Sequence, residues 1–444
     1  MARKFFGTDG VRGRVGEHPM TVDFALNLAS AAARVLAPRG GTVLIGKDTR
    51  LSGYLFEAAL EAGFVAAGVN VQLMGPLPTP GIAYMTRRFG CDFGVVISAS
   101  HNLYEDNGIK FFDSSGGKLS DELEERIEAE LARGPLTRTS GELGRATRVD
   151  SSRMRYQEFC ASTLPEGMRL DGFKIVIDCA NGAAYKVAPR ILADLGADIV
   201  PIGCSPNGRN INDGCGSTAP DLLQLTVPGV RANLGIALDG DGDRLMLVDH
   251  LGRLVDGDQI LYVLATARHR AGQLRGPVVG TVMSNLGLEI ALREAGIAFL
   301  RAPVGDRYVL GLLKESGGTL GGETSGHILC LDQTTTGDAM VAALQVLAVM
   351  RASGRALAEL AAGMQRFPQV LVNVKVARRY DPGTVPAVQA AVREVESRLA
   401  TDGRVVLRAS GTEPVIRVMV EAREESQARS AADELAAAVQ AAAA

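Results

Sequence analysis

The chain contains no tryptophan, and aromatic residues make up only 5% of its 444 residues. Proteins that grip single-stranded nucleic acid by base stacking need such side chains, so that class is set aside. An excess of positive charge is missing too. Against 47 lysines and arginines stand 50 aspartates and glutamates, a net charge of −3, which gives no electrostatic reason to expect nucleic acid or an anionic membrane as partner. No apolar run approaches the ~20 residues that span a bilayer. The opening MARKFFGTDGVRG lacks the apolar core of a signal peptide, so none is expected and the expected location is the cytoplasm. The six cysteines (91, 160, 179, 204, 215, 330) form neither a CxxC pair nor a metal-like cluster and are expected to be reduced structural thiols.

What is present is an ordinary globular composition, 46% apolar and 22% charged, in a chain too long for one core. Three segments share one grammar of apolar strand, polar or glycine-bearing loop, helix, glycine and second strand. They are TVLIGKDTR (42–50) with a helix over 53–67 and AGVNVQLMG (67–75), KIVIDCANGAA (174–184) with a helix to Leu195 and LGADIVPIG (195–203), and VVGTVMSNLG (278–287) with a helix to Ala295 and AGIAFLRAPVG (295–305). Strands separated by helices of this length predict parallel βαβ units, and Gly68, Gly196 and Gly296 suit the helix C-termini. The final segment reads β-α-β-β-α, with VLVNVKVAR (370–378) alternating, and predicts a small antiparallel sheet. The expected fold is α/β: three similar α/β domains with mixed sheets plus a smaller C-terminal α+β domain. The expected boundaries are 1–150, 151–252, 253–367 and 368–444.

The sharpest chemical signal is LDGDGDRLMLVD (238–249). Asp239, Asp241 and Asp243 alternate with glycines, so on an extended backbone all three carboxylates face one side. Three like charges so close repel unless a cation neutralises them, and an all-oxygen set points to Mg²⁺ or Mn²⁺. The loop is not an EF-hand: its sixth position is Arg244 and its twelfth His250. A solvated acidic turn is the bland alternative, but the apolar ANLGIAL before it places the aspartates at a strand C-terminus, where α/β sheets bind ligands.

A second signal is VVISASHNLYEDNGIKFF (95–112), where an apolar strand stops at Ser98, Ser100 and His101. The G-x-S-x-G elbow of a serine hydrolase is missing. On an extended chain, Ser100 and His101 point to opposite faces, which makes His101 a poor base for Ser100. A serine carrying a phosphate fits better, since its dianion would complete a three-aspartate metal site, and Lys110 would supply a nearby cation or proton-transfer group. Third, RASGTEPVIR (408–417) gathers Arg408, Ser410, Gly411, Thr412 and Arg417 into a phosphate-binding set; a hairpin with surface arginines is the alternative. Fourth, GGETSGHI (321–328) alternates Glu323, Ser325 and His327, which on an extended backbone would face sugar hydroxyls or an amine together. GTDGVRG (7–13) and GKDTRLSG (46–53) add Arg12, Lys47, Asp48 and Arg50, suited to anion contacts or interdomain salt bridges.

SASHN with NGIK, DGDGDR, GGETSGH and RASGTEP, in this order over essentially the whole chain, resemble the α-D-phosphohexomutases. The wording of GTDGVRG, SASHN, CGST (215–218) and RASGTEP is closest to the bacterial branch that handles glucosamine phosphates. The resemblance implies a heart-shaped four-domain enzyme with a central cleft, Ser100 as phosphoserine, and Mg²⁺ bound by that phosphate with Asp239, Asp241 and Asp243. It implies sugar contacts from Glu323 and Ser325, with His327 in the same loop, and a distal phosphate on Arg408, Ser410, Gly411, Thr412 and Arg417. The implied reaction interconverts glucosamine 6-phosphate and glucosamine 1-phosphate through a 1,6-bisphosphate, on the route to UDP-N-acetylglucosamine, with glucose and mannose phosphates as the alternative substrates. Arg12, Lys110 and His101 are the expected helpers in charge stabilisation or proton transfer, and a homodimer is the expected assembly. The chain departs from the family wording twice, with Leu103 where proline is usual and Thr324 where glutamine is usual.

Overall fold

The run Val95-Val96-Ile97 lies in the strand Phe93–Ile97, which is buried along its whole length. The computed structural model describes residues 4–377, 380–409 and 414–443. In it this strand is the centre of a seven-stranded sheet, parallel to Gly41–Lys47 and antiparallel to Asp106–Asp113. Its side chains alternate between two cores, as the pleat requires. Phe93, Val95 and Ile97 join Leu28, Phe56 and Phe64 on one face. Val96, with Leu44, joins a second core that continues through the next two domains to Leu347 and Met364. A strand buried on both faces reads as a continuous apolar run rather than an alternation.

The second sheet has five strands, with Lys174–Asp178 parallel to both Asp198–Ile202 and Leu234–Leu238. Leu234–Leu238 then forms a hairpin with Leu245–Asp249. The third has four strands, with Val278–Thr281 parallel to Phe299–Ala302 and to Leu320–Gly322, and Ile328–Cys330 closing antiparallel. All three expected βαβ pairs are therefore parallel, each inside a mixed sheet. The fourth sheet is antiparallel, in the order Gln369–Lys375, Val415–Ala422, Gly403–Ala409.

Two polar stretches do more than connect. Ala146–Arg148 adds an edge strand to the first sheet beside Val71–Leu73. Its side chains are half-buried or exposed, which is why it carries no apolar signature. Leu254–Val255 folds back onto Leu247 and Val248, and Asp256 then caps the helix Gly257–Arg270 in a reciprocal pair with Gln259. The cysteines are unpaired; Cys204 is half-buried and the other five buried.

The fourth domain has a core of its own, built from Val370, Val388, Val418 and Leu435 among others. Its attachment to the third domain is polar. Glu421, fully buried, accepts from Arg404 at 2.8 Å, from the Asn285 side chain at 3.2 Å and from the Leu286 N–H at 3.2 Å. Arg404 in turn donates to the carbonyls of Val282 and Ser284. Removing one partner of a buried pair strands the other. Glu421→Ala is expected to cost about 3 kcal/mol in urea denaturation, whereas Glu424→Ala on the exposed side of the same domain should cost almost nothing.

Candidate active site

Ser100 leaves the central strand with φ at +52°, a left-handed backbone that a serine adopts only when its surroundings enforce it. The enforcement is visible. Arg50, wholly buried and paired with Asp48 at 2.9 Å, donates to the carbonyls of Ser100, Asn102 and Leu103. Asn212, from the second domain, donates to the carbonyls of Ser100 and Asn102, both at 2.9 Å. Ser98 Oγ accepts the Ser100 N–H and donates to Asp48. Asp48 and Arg50 thus form an internal clamp on the serine loop, and Lys47 pairs with the buried Glu57 at 2.5 Å. This corrects the expectation that Lys47, Asp48 and Arg50 make anion contacts or interdomain bridges.

The left-handed turn also corrects the expectation for His101. Because the chain at Ser100 is not extended, His101 Nδ1 swings to 3.3 Å from Ser100 Oγ. Burial first, then the nearby Arg244 and Arg12, lower the imidazole pKa to about 4. Leu103 is half exposed, and the Arg50 clamp uses only its carbonyl, which a proline would keep. The leucine side chain takes no part in the clamp.

Asp239 follows directly from the buried strand Leu234–Leu238. Ligand oxygens of Asp239, Asp241 and Asp243 lie within 4.8 Å of one another, and all three residues are buried. Gly240 is required here, since a Cβ would come 2.6 Å from the Ser100 carbonyl. Gly242 has φ at +73° and turns the chain between the second and third ligands. Ser100 Oγ donates to Asp239 Oδ2 at 2.6 Å, so the serine and the carboxylate cluster share one site across two domains. Burial, then Asp243 and Asp241, hold the Asp239 carboxyl well above the usual carboxylate range. One oxygen each of Asp241 and Asp243 is buried without a hydrogen-bond partner. Orphaned acceptors and a crowded carboxylate set fit a hard divalent cation.

Lys110 sits in this cluster, 2.8 Å from Asp241 and 2.8 Å from Asp9. Burial opposes its charge, but Asp241 and then Asp9 hold its ammonium above the ordinary lysine range. Arg12 pairs with Asp9, and Lys118 bridges Asp9 at 2.7 Å and Asp306 at 2.5 Å. Thr79 donates to Asp241 at 2.7 Å. Sequence reasoning gave no role to Asp9, Thr79, Lys118, Asn212 or Asp306; Asp9 alone lay in a motif, and the others pair across more than a hundred residues with no local periodicity to reveal them.

Residues 323–327 form a tight turn between the strands Leu320–Gly322 and Ile328–Cys330, not one extended run: the Gly326 N–H donates to the Glu323 carbonyl at 2.9 Å, and Gly326 has φ at +90°. The expected common face of Glu323, Ser325 and His327 is therefore absent. Glu323 and Ser325 are half-buried at the turn, and Glu323 accepts the Gly305 N–H at 3.1 Å. His327 is buried beneath, its ring 3.7 Å from Asp243 and 3.5 Å from Asp306. Burial opposes protonation, yet Asp243 and Asp306 raise its pKa to about 9. Thr324 donates to Asp258 at 2.7 Å, so it anchors the turn to the first turn of the helix Gly257–Arg270.

Arg408 and Arg417 face each other on neighbouring strands, both half-buried. Among the described residues neither has an ion-pair partner, and like charges directly opposite are unfavourable unless an anion sits between them. Ser410, Gly411 and Thr412 lie outside the described residues.

Four family models match in chain order. They are phosphoglucomutase/phosphomannomutase α/β/α domain I over residues 3–138, domain II over 155–252, domain III over 256–367 and the C-terminal domain over 371–438. The chain belongs to the phosphoglucomutase/phosphomannomutase family. It is 57% identical over 437 residues to the phosphoglucosamine mutase of Aeromonas hydrophila, covering 98% of each protein. It is likewise 57% identical over 441 residues to that of Methylococcus capsulatus, covering 99% of each. Among solved structures it matches a phosphoglucomutase/phosphomannomutase family protein from Burkholderia thailandensis, with TM-score 0.81 and 23% identity, over 100% of this chain and 98% of the other. It also matches the Aspergillus fumigatus N-acetylphosphoglucosamine mutase in complex with GlcNAc-6P and magnesium, with TM-score 0.70 and 21% identity, over 99% and 96%. These two structures speak for the fold. No helix among the described residues is long and apolar enough to cross a membrane.

If the carboxylate cluster is a cation site, Mg²⁺ at a hundredfold its Kd raises the unfolding free energy by about 2.7 kcal/mol. Asp239→Asn is expected to abolish that magnesium-dependent shift in calorimetry while the apo protein stays folded.

Proposed function

We propose that the protein is a phosphoglucosamine mutase that interconverts glucosamine 6-phosphate and glucosamine 1-phosphate in the cytoplasm, through a phosphoserine at Ser100. The observation that carries this reading is Ser100 Oγ at 2.6 Å from Asp239, beside two further buried carboxylates. The sugar is taken from relatives at 57% identity over nearly the full length.

In the forward half-reaction the P–O bond to Ser100 breaks and a new one forms to the free hydroxyl of the bound sugar monophosphate, giving a 1,6-bisphosphate. The hydroxyl proton leaves to a base. In the second half the other phosphoryl group returns to Ser100 after the bisphosphate reorients. A solved structure of the A. fumigatus N-acetylphosphoglucosamine mutase holds glucose 1,6-bisphosphate, which is the kind of intermediate this scheme requires.

Asp239, Asp241 and Asp243 would hold Mg²⁺, which supplies charge neutralisation on the transferring phosphoryl group. Lys110, kept charged by Asp241 and Asp9, acts as a fixed cation rather than a proton carrier. His101 is neutral near pH 7, since its pKa is lowered to about 4, and its Nδ1 lies 3.3 Å from Ser100 Oγ, within reach of a proton exchanged at that oxygen. Arg12 adds positive charge on the same side. Glu323 and Ser325 contact the sugar, and Arg408 and Arg417, with Ser410, Gly411 and Thr412 between them, hold the non-reacting phosphate. Loop groups and long arginines suit that task, because the clamp must accept either phosphate.

The test is turnover of glucosamine 6-phosphate against glucose and mannose phosphates, with a bisphosphate activator present. Preference for glucosamine phosphate supports the reading, and preference for glucose or mannose phosphate by a large factor replaces it with phosphoglucomutase/phosphomannomutase activity. Ser100→Ala is expected to lower kcat by at least about 10³-fold; full activity in that variant would sink the phosphoserine mechanism.

A further inference from the structure

One short stretch of the third domain, Gly305-Asp306-Arg307, touches both the sugar loop and the first domain. Its Gly305 N–H donates to Glu323 Oε1 at 3.1 Å. Gly305 has φ at +128°, a conformation closed to residues with a side chain, so the amide is aimed by backbone geometry. Asp306 lies 3.5 Å from the buried His327 ring and 2.5 Å from Lys118 Nζ. Arg307 docks on the first domain at Asp121 and at Glu124, the latter at 2.6 Å.

On the first-domain side Lys118 also binds Asp9 at 2.7 Å. Asp9 in turn holds Lys110 at 2.8 Å and pairs with Arg12. On the third-domain side, the His327 ring lies 3.7 Å from Asp243. Lys118 therefore joins, at the end away from the aspartates, two chains of charged groups that both end on the aspartate cluster, one through Asp9 and Lys110, the other through Asp306 and His327. Its side chain is 13% exposed and its two carboxylate partners are 23% and 15% exposed, so water screens these contacts only weakly.

We propose that Lys118 is a positioning residue for the mutase reaction: by joining Asp9 to Asp306 it fixes Lys110 and His327 around the transferring phosphoryl group and registers the sugar turn against the phosphoserine domain. The Asp306 carboxylate and the Gly305 amide sit on adjacent residues, so the contact to Lys118 and the contact to Glu323 cannot shift independently. Sugar seated at Glu323 thereby finds Lys110 and the serine at a set distance. Lys118 itself lies one group removed from the reacting atoms. Groups at this remove typically matter by about 10- to 100-fold, because small misplacements of the reacting groups are costly.

This inference rests on the mutase reading, and the experiment separates the two. Wild type, Lys118→Met, Lys118→Arg and Arg307→Met are compared for kcat and KM on glucosamine 6-phosphate, and for thermal stability. Activity in the wild type tests the reaction itself, and its absence would sink the function reading without reference to Lys118. With the wild type active, Lys118→Met is expected to lower kcat by about 10- to 100-fold with KM changed much less, and Lys118→Arg to recover most of the loss. Arg307→Met removes a docking contact of the same seam without touching Asp9 or Asp306, so it should lose stability while keeping kcat. If Lys118→Met and Arg307→Met both lose only stability, or if both lose kcat equally, Lys118 is merely part of the domain seam and the inference is overturned.

Discussion

Three carboxylates confined to one buried turn are the constraint on which the rest of the structure depends. Asp239, Asp241 and Asp243 cannot all be ionised in that space without positive charge beside them. One compensation is built in, since Lys110 arrives from the strand Asp106–Asp113 of another domain. His327, its pKa raised to about 9, adds positive charge beside Asp243, and the orphaned oxygens of Asp241 and Asp243 invite a cation as well. Because the compensating lysine and the serine both belong to the first domain, the first and second domains must be held in fixed register. The common apolar core that runs through the first three domains does that.

Holding the serine is a separate problem, solved with backbone contacts. Arg50 and Asn212 between them take the carbonyls of Ser100, Asn102 and Leu103. Ser98 and Asn102 add side-chain bonds to Asp48 and Asp106, which leaves Ser100 Oγ and the His101 imidazole as the loop groups turned to the aspartate cluster. The fourth domain is organised differently. Its core is separate, and its link to the third domain is a buried polar knot around Glu421. A domain attached by a polar knot rather than a shared core can shift against its neighbour, which is what the proposed two-way grip of its arginine pair on a phosphate would need.

The parallel βαβ pairs were legible because each strand is a short apolar run and each helix is closed by a glycine. The aspartate cluster was legible because its three carboxylates fall within five residues. Edge strand Ala146–Arg148 was not, since an exposed edge carries no apolar pattern. The alternation rule failed at Ser100-His101 and at Glu323–His327 for the same reason: both segments contain a residue with positive φ, and period-2 reasoning holds only for extended chain. Lys118, Asp306 and Asn212 were out of reach because their meaning lies in partners far away in sequence.

The claim that binds these features together is that Ser100 carries the phosphoryl group at the aspartate cluster. Its most direct test is the intact mass of the purified protein, followed by location of the modification by fragmentation. The account predicts one phosphate per chain, on Ser100, lost when the protein is incubated with glucosamine 6-phosphate and recovered in the sugar. A phosphate on His101 or elsewhere, or an active enzyme whose Ser100 is never phosphorylated during turnover, would contradict it.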